Sequence, residues 1–504
     1  MSNDWKRILG GILLLGSTLS SGAQVDTLAR RFAKSITENE LRTHLGILAS
    51  DAYQGRDTGK EGQKMAAAYL RNAFIGMGIP PVPKEFAGQI VDGYFQPYEL
   101  TEERVGSIGL TYSGGSLGLL NGLIYFKEEL AGTVEVNEVI SVGKADRALD
   151  GMDIRGTVVA LDATDLDQGA QLFSQLRSKL ERIRSKEPLV VITIVESFAG
   201  TEGLVHRDGT QLKLAYEDQA AVKGGMQLLL LEEAIARTLF GTKGFKKLMR
   251  NKVGARISTR FTLTKEDNRK AVVAENVLAY IEGSDKKDEL IIITAHYDHV
   301  GVDHAGVVYN GADDDGSGTV ALLEIAQAFA LAKAAGHGPR RSVLVMPVSG
   351  EEKGLLGSRF YSDHPVFPLT NTVADLNIDM IGRVDSAHAR SEPYVYVIGS
   401  DRLSSDLHRT NERANEEARL KLDYTFNAAN DPNRFYYRSD HYNFAKKGIP
   451  SIFYFSGVHE DYHQPGDDVE KIRFDLLAQR TMLVFHTAWL LANEEDRIRV
   501  DGKN

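Results

Sequence analysis

Several stretches in the C-terminal half of this chain place imidazoles and carboxylates just where an apolar run stops. Leu290 to Thr294 leads into His296-Tyr297-Asp298, Ser342 to Val348 into Glu351-Glu352, Ala374 to Ile378 into Asp379, and Ile452 to Phe455 through a loop into His463. Between the first two lies Gly311-Ala312-Asp313-Asp314-Asp315-Gly316-Ser317-Gly318, directly before a helical stretch. Carboxylates clustered at the mouth of an apolar sheet repel one another and are costly to desolvate, unless they are protonated or hold a cation. Two His, a Glu, an Asp and one further Asp able to bridge suit a pair of zinc ions in nitrogen and oxygen coordination. Such a pair activates a water, polarises a carbonyl and stabilises the oxyanion that develops. The 504 residues include no cysteine, which excludes thiolate zinc sites, iron–sulfur clusters, disulfide scaffolds and a cysteine nucleophile. Any one of these residues alone reads as a surface or capping group. The Asp triplet alone reads as a helix cap or a calcium-like loop, although it lacks the alternating ligands of an EF-hand. The set carries the reading.

The elements that must position this set follow a regular alternation after Asn276. The four apolar runs are strands, Val320 to Leu331 is helical, and Phe474 to Leu491 is a closing helix. Continuous apolar strands alternating with helices predict an α/β fold: a mixed, mostly parallel central sheet with helices on both faces. In such sheets the binding crevice lies beyond the carboxyl ends of the strands, where the candidate ligands sit. Upstream, Leu41, Leu45 and Leu48, and then Ala66, Tyr69, Leu70, Ala73 and Phe74, recur at helical spacing on either side of a glycine-rich turn. From about 105 to 260 the texture changes. Strands are expected at Glu138 to Val142, Thr157 to Leu161 and Leu189 to Val195, with helices at Gln171 to Arg184 and Leu228 to Phe240. That order suggests a smaller α/β module of its own.

Three other motifs are weaker. His459-Glu460-Asp461-Tyr462-His463 spells H-E-x-x-H, but that chemistry needs both histidines on one helix face. Gly457 before it and Pro465-Gly466 after it predict a loop. Gly114-Gly115-Ser116-Leu117-Gly118 matches the serine-hydrolase elbow, yet lacks a strong strand before and a helix after, and reads as a flexible turn. Ser439-Asp440-His441 is a triad only in spelling, since triad members converge from separate elements; a structural role near the pocket is expected.

Taken in order, His296-Tyr297-Asp298, the GADDDGSG run at 311 to 318, Glu351-Glu352-Lys353-Gly354-Leu355-Leu356-Gly357-Ser358, Asn377-Ile378-Asp379-Met380 and Asp461-Tyr462-His463 resemble the M28 family of co-catalytic zinc peptidases. Gly55-Arg56 and Thr58-Gly59 resemble the opening of the same catalytic domain. The resemblance implies two zinc ions per chain, with His296 and Asp379 on one, Glu352 and His463 on the other, and Asp314 bridging. It further implies Glu351 as general base, Asp298 orienting His296 through the far ring nitrogen, and Tyr462 as a donor to the oxyanion. Peptides are the implied substrates, and an aminopeptidase acting on free N-termini is the implied activity. A carboxypeptidase or dipeptidase on the same site, or a binding or receptor module without catalysis, are the alternatives. The domains expected are a catalytic one, discontinuous over 24–105 and 262–504, and an inserted protease-associated-like one over 106–261.

Residues 1–23 read as a signal peptide: Lys6 and Arg7, the apolar run Ile8 to Leu15, then small residues through Ala23. The run falls short of a membrane span, so export to the periplasm or medium is expected, with no stable membrane span after cleavage. The formal charge of −10, from 59 basic and 69 acidic residues, argues against nucleic acid as a partner, because nothing neutralises phosphates. No pattern in the residues sets an oligomeric state.

Overall fold

A computed structural model describes residues 26–83, 86, 91, 93–104, 107–125, 129–130, 132–166, 170–198, 210–218, 225–266 and 269–502. The expected leader, 1–23, lies outside the described residues. The central sheet is built on β1 (Lys286–His296), β2 (Arg341–Val348), β3 (Thr372–Ile378), β4 (Tyr394–Ile398) and β5 (Ser451–Phe455). Its order is Ala279–Ile281, β2, β1, β3, β5, β4, Lys421–Asp423. The pairs β2–β1, β1–β3 and β3–β5 are parallel, while Ala279–Ile281 on β2 and β4 on β5 are antiparallel. The expected mixed, mostly parallel sheet is therefore present. Every residue of β2, β3, β4 and β5 is buried, which is why these strands read as unbroken apolar runs rather than as alternation.

Successive residues of β1 point to opposite faces. Ile291, Ile293 and Ala295 pack with α1 (Gly318–Ala334), the closing helix Phe474–Asn493 and the three N-terminal helices Thr27–Ala33, Glu38–Leu48 and Glu61–Gly76. Leu290 and Ile292 meet Tyr361, Phe367 and Phe444 on the other face.

A second, eight-stranded sheet lies upstream. Its parallel half is Val158–Asp162, Val190–Val195 and Gln227–Glu232, and its antiparallel half centres on Arg256–Lys265 between Ile108–Tyr112 and Thr133–Ser141. Arg256–Lys265 runs past residue 261, so this sheet crosses the boundary expected there. A three-stranded sheet joins the two parts: Phe95–Arg104 pairs with Lys270–Val277 on one side and Thr210–Leu214 on the other.

Two local expectations are corrected. Leu228 to Phe240 is not one helix; Gln227–Glu232 is a buried strand beside Val190–Val195, and the helix is Glu233–Leu248. Leucines favour a helix locally, but a short apolar run fits a buried parallel position equally well, and tertiary pairing decides. Gly114 to Gly118 is not a flexible turn. Tyr112 pairs with Gly115 and Thr111 with Ser116, so only Ser113-Gly114 turns, as a two-residue hairpin loop. Among the described residues no helix is long and apolar enough to cross a membrane.

Candidate metal centre

Each candidate ligand leaves the carboxyl end of a strand. His296 is the last residue of β1, Asp379 follows β3 directly, Glu351-Glu352 follow β2 after Ser349 and Gly350, and His463 lies in the turn region beyond β5. Asp314 sits in the distorted turn 312–317 that opens α1. Gly311 makes this turn feasible: at φ 55°, a Cβ there would lie 2.3 Å from the Asp314 carbonyl oxygen and 2.5 Å from the His299 ring.

The structure brings the five expected ligands and Glu351 together. Asp314 divides its oxygens between two imidazoles: Oδ1 is 3.3 Å from His296 Nε2, and Oδ2 is 3.1 Å from His463 Nε2. His296 Nε2 lies 3.6 Å from Asp379 Oδ1 and 4.0 Å from Glu351 Oε2. His463 Nε2 lies 3.1 Å from Glu352 Oε2. The donor set fits zinc on geometric grounds. Two ligands each 2.0–2.1 Å from a tetrahedral ion stand roughly 3.3 Å apart, close to the spacings on both sides of Asp314.

The electrostatics point the same way. Burial works to lower the pKa of His296, but Glu351, Asp379 and Asp314 outweigh it and hold the imidazole well above its usual value. Burial is likewise overcome at His463, where Asp314 and Glu352 push the pKa up to about 10. Burial raises Glu352, as does Asp314, yet contacts to His299 and His463 bring it down to about 2. Glu352 is thus stabilised by positive charge that protonated imidazole supplies, as is Asp314, and a divalent cation would replace those protons.

Asp298 orients His296 differently from expectation. His296 Nδ1 donates to the main-chain carbonyl of Asp298 at 3.1 Å, while the carboxylate stands off at 3.7 Å. The carboxylate instead accepts from Thr58 Oγ1 at 2.7 Å and from the Glu351 amide at 3.3 Å. It therefore steadies the segment bearing the expected base. Tyr462 stacks on His463 at 4.0 Å, and its hydroxyl accepts from Arg438 Nη2 at 3.3 Å. Both line a pocket of about 360 Å³ over His296, Asp314, Glu351 and Asp379, with an apolar wall that includes Phe435, Phe453 and Phe455.

Residues given no role in the site from sequence complete the centre. His299 is buried, with Nδ1 3.0 Å from Glu352 Oε1 and 3.8 Å from Asp314 Oδ2. It forms with Asp314 and Glu352 a second cluster of metal-capable atoms beside that of His296, Glu351 and Asp379. Its signal was its place directly after His296-Tyr297-Asp298. Asp467 accepts the amides of Asp313 and Asp314, tying the His463 segment to the bridging position. Arg56 donates to the carbonyls of Leu48, Tyr297, Asn310 and Gly311. Of the three decoys, 459–463 is not helical, and His459 lies behind the site, 3.3 Å from Asp313 Oδ2. Ser439 donates to Asp379 Oδ2 at 2.7 Å, whereas Asp440 accepts from Ser358, so the triplet is structural.

Residues 276–488 match a family model described as Peptidase family M28. A probable zinc metalloprotease from Pyrenophora teres f. teres is 29% identical over 256 residues, covering 44% of this chain and 52% of that protein. The chain thus spans about half the length of these curated relatives. An aminopeptidase from Aneurinibacillus sp. strain AM-1 superposes with a TM-score of 0.52 at 16% identity, over 94% of this chain and 98% of that one. A zinc aminopeptidase from Bacillus subtilis does so with a TM-score of 0.50 at 18% identity, over 93% and 99%. These two likenesses establish the fold.

Proposed function

Residues 276–488 belong to peptidase family M28, and on that basis we propose that the chain is an exported zinc aminopeptidase working with two zinc ions. The observation that carries the dinuclear reading is Asp314, whose two oxygens face two separate imidazoles. His296 and Asp379 would hold one ion, Glu352 and His463 the other, and Asp314 would reach both. Bound there, zinc supplies a Lewis acid for the scissile carbonyl and eases deprotonation of water.

The chain's own residues do the rest. Glu351, beside ligand Glu352, takes the proton of the attacking water and passes it to the leaving amine. Its main-chain amide is held by Asp298, so the base approaches from a fixed direction. Tyr462 accepts from Arg438, which leaves its own proton free to donate to the carbonyl oxygen as charge builds there. Support for the N-terminal exopeptidase reading comes from the two fold neighbours, both titled aminopeptidases. Support for export comes from the basic, apolar and small-residue order of 1–23. The eight-stranded sheet is read as the inserted domain, with its C-terminal edge extended to Lys265.

The deciding experiment pairs Glu351→Gln with a panel of free and N-blocked aminoacyl anilides, with and without chelator. The expected result is zinc binding intact and hydrolysis reduced roughly 10²–10⁴-fold. Full activity in the variant removes the proposed base, and cleavage of blocked substrates alone removes the aminopeptidase reading.

A further inference from the structure

The pocket contains one group that hydrolysis by two zinc ions and Glu351 does not require. Its floor is carboxylate and imidazole and its wall is aromatic, and Arg438 is the single Lys or Arg among the described residues that line it. Arg438 leaves the short 3-10 turn Phe435–Tyr437 and is followed at once by Ser439, which bonds Asp379. The segment therefore runs from the pocket wall to a candidate ligand, which fixes where the guanidinium stands relative to the metals.

That guanidinium is held without being neutralised. It lies 4.9 Å from the centre of the Phe435 ring and gives one N–H to Tyr462. Among the described residues it forms no ion pair, although Asp314, Glu351 and Asp379 line the same pocket. An arginine packed on an aromatic face keeps its planar fork free for a carboxylate, which it binds through two parallel N–H···O bonds. A pocket whose floor is reserved for cations and whose single Lys or Arg among the described residues stands at the side is matched by a substrate with a carboxylate set back from the scissile bond.

Building on the peptidase reading, we propose that Arg438 determines specificity by binding a substrate carboxylate, so that the preferred substrates are short peptides with a carboxylate set back from the scissile bond. The carboxylate has two chemical sources: the free C-terminus of a dipeptide, or the side chain of an N-terminal acidic residue. Two matched pairs separate them. Ala-Ala against Ala-Ala-amide tests the C-terminal carboxylate, and Glu-Ala-amide against Gln-Ala-amide tests the side chain.

The readouts are the ratio of kcat/KM within each pair for the zinc-loaded protein, and the ratio of Kd by calorimetry in zinc-loaded Glu351→Gln protein. At least one pair should favour its carboxylate member about tenfold or more, as a charge-assisted bond implies. Arg438→Ala should bring that ratio close to one, and Arg438→Lys, which keeps charge but loses the fork, should retain part of it. Equal treatment of both pairs, or a preference that survives Arg438→Ala, overturns the assignment. Should the protein hydrolyse no peptide at all, the peptidase reading falls, while the Kd ratios still decide the role of Arg438.

Discussion

Replacing Arg56 by lysine tests whether a buried guanidinium, rather than the sheet alone, holds the metal-binding segments in register. Arg56 is 1% exposed. It donates to Tyr297 O at 2.7 Å, Leu48 O at 2.9 Å, Asn310 O at 2.7 Å and Gly311 O at 2.9 Å. Three of those carbonyls flank His296 or lead into Asp314. Burial lowers the guanidinium's pKa, opposed by Asp298, Asp467, Asp314 and Asp315, so a cation is wanted at this point. An ammonium keeps the charge but radiates its donors from one atom and spans fewer of the four carbonyls. With two or three carbonyls left buried and unpaired at about 1.5 kcal/mol each, the cost is roughly 3–5 kcal/mol. That is a large share of a stability of about 5–15 kcal/mol. The melting temperature should fall by roughly 6–15 °C, and zinc affinity, read by chelator competition on the folded variant, by about 10–100-fold. Arg341 provides the control. It is equally buried and donates to the carbonyls of Leu491 and Glu494, but it begins β2, at the opposite end of the sheet from the site. Arg341→Lys should lower the melting temperature and leave zinc affinity alone. If Arg56→Lys melts like the parent, or if both variants lose zinc equally, the proposed clamp is wrong.

Two further predictions address the site and its support. His463→Ala should bind one zinc equivalent in place of two, whereas His299→Ala should retain two with the second weakened about 10–100-fold, because it steadies Glu352; metal analysis after dialysis separates these outcomes. His441 is buried against Phe453 at 5.0 Å, and burial holds its pKa down at about 3. Its folded pKa lies below the unfolded value of 6.5, so its contribution is full above pH 6.5 and is lost as pH falls toward 3. At pH 5 the loss comes to about 2 kcal/mol. Urea unfolding at pH 7 and pH 5 should therefore show a pH penalty about 2 kcal/mol smaller in His441→Phe than in the parent, and equal penalties would exclude His441 as the source.

What was legible in the sequence follows from what burial costs. A charged side chain at the end of an apolar run is tolerable only when something compensates it, so His296, Glu352 and Asp379 stood out as soon as the runs were recognised as strands. The clamps left no such trace. Arg56 and Asp467 act on main-chain carbonyls and amides, and no residue type marks the positions they hold. Asp298 illustrates the same limit within a motif: its place beside His296 was readable, but the contact is made by its carbonyl and not by its carboxylate. The split of Leu228 to Phe240 into strand and helix was hidden because four consecutive leucines satisfy both periods. Glu232, extended at φ −68° and ψ 150°, marks the break, and a backbone angle is not written in residue type.

The three consecutive aspartates show how one composition yields three electrostatic solutions. Asp313 accepts the amide of Gly382 through Oδ1, and His459 approaches its other oxygen at 3.3 Å. Asp315 accepts the amides of Gly318 and Met380 through Oδ1, and burial raises its carboxyl well above the usual range. Asp314 alone turns both oxygens toward imidazoles, and although burial acts to raise it, His296 and His463 hold it well below the usual range. A neutral or amide-bound carboxyl needs no cation, while an ionised one between two imidazoles needs positive charge on both sides. The difference lies in what satisfies each oxygen, and it singles out the middle residue as the only one of the three placed to serve two ions. By the same logic the formal charge of −10 overstates the field of the loaded protein. Asp314, Glu352 and Asp379 would be matched by metal.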